Sequence, residues 1–165
     1  MLVLGLLFTS NAMMAQGAKP SPAATATGSV NGADITVKYS SPAVKGRKIW
    51  GGLVPYDKDW RAGANEATVF TTSKKIMVEG KPLAAGSYSI YAVPGEKTWK
   101  IIFNGETGQW GTNKEGSSRV PAKDVLTVTV TPVKTNMLEE RLKYDITPQG
   151  LVLSWENLKV PVAIK

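Results

Sequence analysis

Alternation of apolar and polar positions with a period of two dominates this chain. Trp99, Ile101 and Phe103 fall on one side while Thr98, Lys100 and Asn104 fall on the other, and Leu126, Val128 and Val130 alternate with threonines at 127, 129 and 131. Such alternation predicts half-buried strands, because successive side chains of an extended chain point to opposite faces. The same reading extends to residues 35–39, 68–72, 75–78, 88–93, 138–146, 151–155 and 160–164. Turn-forming groups punctuate these runs: Glu79-Gly80-Lys81-Pro82, Pro94-Gly95-Glu96, Pro132 and Pro148-Gln149-Gly150. No stretch keeps a helical period over three turns. About nine short strands with frequent turns predict an all-β fold, an antiparallel two-sheet sandwich with jelly-roll and immunoglobulin-like orders both open. Trp99 and Trp155 fall on the core faces of their strands. Gly86 permits a bend into a strand whose Tyr88, Ile90 and Ala92 face the same core.

The N-terminus is organised differently. An apolar run over residues 1–8 is followed by small and polar residues, with Ala15 placed for cleavage before Gln16. This predicts a secretory signal peptide over residues 1–15, since its apolar core is too short to span a bilayer as a helix. One departure is that no Lys or Arg precedes the apolar core, which leaves open whether Met1 is the true start. The run KPSPAATATGS that follows is made of small residues and prolines and suits a flexible tether over residues 16–32. A single domain over residues 33–165 is then expected, exported to the periplasm or the extracellular space and without a membrane span.

Charge and missing residue types narrow the chemistry. The 20 Lys and Arg exceed the 13 Asp and Glu, a net charge of +7 spread along the chain. That excess favours anionic glycans, lipid head groups or acidic partners by long-range attraction, and equally serves solubility. Nucleic acid is not expected, because no recognised binding motif occurs. The chain has no Cys and no His. This excludes disulfides, thiol nucleophiles, a lipid-bearing cysteine, histidine-based triads and the commonest metal ligand. Any catalysis would rest on carboxylates, Tyr, Lys or Ser with shifted pKa values.

Residues 46–68, GRKIWGGLVPYDKDWRAGANEAT, concentrate the candidate chemistry. Two tryptophans, a tyrosine, two arginines, an amide and three carboxylates stand among glycines that strand propensity does not explain. Val54 to Asp59 has the composition of a turn, and Trp60-Arg61 sets a large ring beside a guanidinium. Small residues around Asn65 and Glu66 allow close backbone approach and offer the amide and carboxylate to a partner. On a scaffold reading, Arg47 or Arg61 instead pairs with Glu66 and Asn65 caps a loop. A second candidate is Gln109-Trp110-Gly111-Thr112-Asn113, where the loop tryptophan either stacks on a flat ligand or closes the end of the sandwich. Asp57, Asp59 and Glu66 lack the spacing of a calcium loop, so neither a metal site nor a cofactor is expected.

The run GRKIWGGLVPYDKDWRAGANEAT, followed by LAAGSYSIYAVPGEKTWKIIFN, QWGTN and DVLTVTV, resembles the domain-of-unknown-function family twenty-nine eleven of exported bacterial proteins. The resemblance covers residues 33–164, and its signature positions include Arg47, Trp60, Arg61, Asn65, Glu66, Gln109 and Trp110. It implies export and a β-rich fold but no reaction. The leading expectation is a periplasmic or surface module that binds a glycan or another small polar or anionic ligand. In it, Trp60 and Trp110 form a stacking wall while Arg47, Arg61, Asn65, Glu66 and Gln109 supply hydrogen bonds. Two alternatives stand beside it: a glycan-acting hydrolase or lyase using Glu66 with Asp57, Asp59 or Tyr56, and a structural or assembly protein of the envelope.

Overall fold

A computed structural model of the chain describes residues 20–165. The expected signal peptide and the first residues of the expected tether, 16–19, lie outside the described residues. Ten strands follow in order: β1 (Ala23–Val30), β2 (Ala33–Ser40), β3 (Thr68–Thr72), β4 (Ile76–Val78), β5 (Lys81–Leu83), β6 (Gly86–Pro94), β7 (Trp99–Asn104), β8 (Asp124–Val130), β9 (Val133–Thr147) and β10 (Gly150–Ala163). A single 3-10 turn, Pro121–Lys123, precedes β8.

Six strands form one antiparallel sheet in the order β1-β2-β3-β6-β7-β8, a meander with a single excursion between β3 and β6. The opposing layer is built on the long β9–β10 hairpin. The β4–β5 hairpin joins that layer at its far edge, where Val78 bridges Ile164 and Met77 and Lys165 exchange backbone hydrogen bonds. On the other edge, the backbone of Pro42 and Val44 bonds to Leu142 and Glu140 of β9. The result is a two-layer β-sandwich, the architecture that the alternation predicts.

Alternating burial sets the core. Ile35, Val37, Phe70, Trp99, Phe103 and Val128 of the large sheet meet Leu142, Leu151, Leu153, Trp155 and Val160 of the opposing layer. Tyr88, Ile90 and Ala92 face this core as expected. A second, smaller cluster of Ala67, Tyr91 and Ile102 lies apart from it. There the Tyr91 hydroxyl meets Ser118 Oγ at 2.9 Å and accepts a bond from Gln109 Nε2 at 2.9 Å, tying the loop before β8 onto the sheet.

Three segments differ from the sequence reading. Residues 23–30, assigned by composition to a tether, form β1 and pair with β2 along their whole length, from Ala23↔Ser40 to Val30↔Ala33. Asn31 and Gly32 carry φ of +48° and +79°, the left-handed pair of a tight hairpin turn, which makes this pairing local. Lys81 and Pro82, read as part of a turn, open β5, with Glu79 and Gly80 making the same kind of turn at φ +47° and +78°. The strands read at 151–155 and 160–164 merge into one continuous strand that ends at Ala163, bent by irregularities around Glu156, whose φ is +56°.

Candidate functional site

The chain reaches the opposing layer at Pro42 and Val44, and after Pro55 the signature segment returns to the large sheet, where Asp57 N–H donates to the Pro94 carbonyl. Trp60 exchanges two backbone hydrogen bonds of 2.8 Å with Ala92 of β6 and so continues the line of β3. The chain then turns through Ala62, a non-glycine residue at φ +51°. Its carbonyl accepts bonds from the Tyr144 hydroxyl at 2.6 Å and from Thr68 Oγ1 at 3.0 Å, which hold this disfavoured conformation from both layers. Burial pushes the Tyr144 phenol well above its ordinary pKa, so it serves as a fixed donor. Gly63 follows where the chain is tight: a Cβ there would lie 2.7 Å from Thr68 Oγ1.

Asn65 also adopts a left-handed φ, +57°, and its Nδ2 donates to the Ser21 carbonyl at 3.1 Å, anchoring the start of the described chain. The two signature segments then pair with each other. Gly111 N–H donates to Asn65 O and Ala67 N–H to Gln109 O, each at 3.0 Å, with Glu66 opposite Trp110. This pairing lays Gly111 against Arg61: a Cβ on Gly111 would sit 2.2 Å from Arg61 Cδ. The arginine stem therefore occupies the space that any larger residue would fill.

These constraints shape a pocket of about 320 Å³, whose lining includes Ser21, Arg47, Leu53, Trp60, Arg61 and Trp155. Trp60 stacks on Trp155 with ring centroids 5.9 Å apart and planes 14° apart. Trp50 and Trp99 pack edge-on around that pair. Arg47 is steadied by the backbone, donating from Nε to Val44 O at 3.0 Å and from Nη2 to Ala43 O. Arg61 Nε is enclosed and has no hydrogen-bond partner among the described residues. Partial burial draws its guanidinium below the usual arginine pKa by desolvation, although an arginine stays charged at neutral pH. No Asp or Glu lines the pocket, and no ion pair among the described residues involves Arg47 or Arg61.

The remaining candidates lie elsewhere. Glu66 is exposed on a separate shallow groove with Tyr39, Val69 and Gly108, and pairs with neither arginine. Gln109 is turned inward, bonded to Tyr91, Ser89 and the Glu106 carbonyl. Trp110 is 54% exposed and does not close the core. Tyr56 lines a different cavity of about 540 Å³ with Lys48, Lys97, Lys134, Glu96 and Glu156.

Asp59 accepts two bonds of 2.8 Å from Arg119 Nη1, and the same guanidinium engages Asp124 at 2.7 Å. Burial disfavours the Asp124 carboxylate, but hydrogen bonds from Arg119 and Asn104 together hold its pKa below the ordinary value. Of the proposed set, Arg47, Trp60 and Arg61 converge on one pocket, with Asn65 fixing its border through Ser21. Sequence reasoning missed Trp155 as the stacking partner and Arg119 as the counter-ion of Asp59. No local signal marks either, since both depend on strands distant in the chain.

The molecule is thus a two-layer antiparallel β-sandwich with a tryptophan-walled, cationic pocket beside the crossing between its layers. No helix among the described residues is long and apolar enough to cross a membrane. The chain belongs to the family described as "Protein of unknown function (DUF2911)", whose model matches residues 21–164 and so takes in β1 as well as the segments quoted above. No curated protein and no solved structure matches the chain.

Proposed function

We propose that this protein is an exported ligand-binding module whose site is the Arg47–Trp60–Arg61 pocket. The observation that carries the reading is convergence: three chemically distinctive residues of the signature segment meet at one cavity, beside a stacked indole pair. Its volume lies at the small end of the range for ligand pockets, which suits a metabolite or single sugar ring rather than a polymer. An apolar wall with a few fixed polar groups is the usual division of labour in such sites, the wall supplying affinity and the polar groups orientation. Export rests on the leader-like residues 1–15.

Calorimetry and intrinsic tryptophan fluorescence on the chain beginning at Gln16, against a panel of sugars, organic acids and phosphate, test the binding reading. Leu53 lines the pocket and is 49% exposed, so Leu53→Trp obstructs the mouth without entering the core. The expected result is a saturable response in the parent chain that this variant abolishes. Binding that survives the obstruction would place the site elsewhere. Export is checked by mass spectrometry of the protein from its native host, where Gln16 is the expected first residue and an intact apolar N-terminus would refute it.

A further inference from the structure

We infer that the ligand of this pocket is a small organic acid, held by anionic oxygens on Arg61 and Arg47 with its body against Trp60, which the buried Trp155 backs. This rests on the binding reading above and adds the chemical class. The protein contains its own comparison. Arg119, the other partly buried arginine, is neutralised by two carboxylates, Asp59 and Asp124. Arg61 is also partly buried and has no counter-ion, while its Nε is enclosed without a partner. Burying a cation without compensation is costly, and a buried donor without an acceptor adds to that cost. A ligand carrying negative oxygens supplies the missing counter-charge to the guanidinium and so removes the larger of these costs on binding.

Geometry supports the same class. A guanidinium presents its N–H groups in a planar fork that matches the paired oxygens of a carboxylate or phosphate. The fork of Arg61 is set before binding, because its stem is lodged against Gly111 and its backbone follows the Trp60–Ala92 pairing. Two donors of Arg47 are held by the Ala43 and Val44 carbonyls, which fixes a second positive charge at the rim and leaves its other N–H groups available. Without any Asp or Glu in the lining, an ammonium or metal ion is disfavoured there. The flat indole wall selects a ring or apolar body behind the acidic group.

The test measures affinity for four probes by calorimetry: D-glucuronate, benzoate, inorganic phosphate and D-glucose. The acids are expected to bind and neutral glucose to bind at least tenfold more weakly. Glucuronate or benzoate above phosphate identifies a carboxylate ligand, and the reverse order a phosphate ligand. Arg61→Gln is expected to weaken acid binding by roughly tenfold to a hundredfold, the range for charged hydrogen bonds. Should that variant fold poorly, Leu53→Glu against Leu53→Gln gives the same comparison from an exposed position, the added carboxylate being expected to weaken acid binding at least fivefold more. Glucose binding as tightly as the acids, with both comparisons flat, would overturn the anionic class and leave a binding module. Absence of binding by all four probes would overturn the pocket reading itself.

Discussion

Gly111→Ala tests whether Arg61 is positioned by the pairing of the two signature segments. The new methyl would lie 2.2 Å from Arg61 Cδ, 2.8 Å from its Cβ and 3.0 Å from its Cγ, all closer than ordinary carbon contacts. Neither side yields easily, since Gly111 N–H is tied to Asn65 O at 3.0 Å and the Arg61 stem is met near its root rather than at its tip. Overpacking of this kind costs about 1–3 kcal/mol. Denaturant titration of Gly111→Ala, Arg61→Ala and the double variant measures it. Removing Cγ and Cδ of Arg61 relieves the tightest contact, so the two changes should couple by about 1 kcal/mol or more, the alanine costing far less in the Arg61→Ala background. Additivity within about 0.5 kcal/mol would show that Gly111 does not hold Arg61 in place.

Three further outcomes follow from the same geometry. Trp99→Ala empties a fully buried site in the Trp cluster and should cost about 3–5 kcal/mol in chemical denaturation; a loss under about 1 kcal/mol would contradict its core position. Glu66→Gln should change stability by less than about 0.5 kcal/mol, because the exposed carboxylate has no ion pair to lose, and it should leave binding at the Arg61 pocket intact. A large drop in the thermal melt would instead reveal a buried pairing. For Asp124, the depressed pKa means that its ionised form stabilises the fold above the unfolded value of about 3.9, a contribution lost as pH falls through the lower folded value. The stability gap between the parent chain and Asp124→Asn should therefore be widest near neutral pH and close below about pH 4, and a gap constant from pH 7 to 3 would refute the linkage.

Much of the sandwich is legible because strand alternation is a local property. The faces of β8, the core face of β7 and the burial of Trp155 on β10 follow from residues two apart in sequence, whereas the other face of β7, read as polar at Asn104, is buried at Ile102 and Asn104 because the loop before β8 covers it. Where legibility failed, pairing or a single backbone angle decided. Residues 23–30 are small and polar enough to resemble a linker, yet Asn31-Gly32 is a strong hairpin signal that outweighs composition once β2 is recognised. β10 reads as two strands because Glu156, in a left-handed conformation that side-chain chemistry does not announce, interrupts the alternation without ending the strand.

The site divides in the same way. Arg47, Trp60 and Arg61 can be named from residue type, since aromatic and guanidinium groups among glycines have few purely local explanations. Which of their neighbours share the pocket is a tertiary question, and it separates signature residues into two kinds of work. Gly63 lets the chain pass Thr68, Asn65 anchors Ser21, and Gly111 makes room for an arginine stem. Gln109 fastens its loop to the tyrosine beneath. None of these touches the cavity wall except Gly63, yet each fixes the path that brings Arg61 to it. A partly buried guanidinium without a counter-ion keeps its place only if the surrounding backbone is over-determined, because a looser loop would let the cation swing out to water. The density of left-handed residues and close glycine contacts around Ala62, Asn65 and Gly111 supplies that constraint, and on the binding reading proposed above it accounts for so long a signature around so small a pocket.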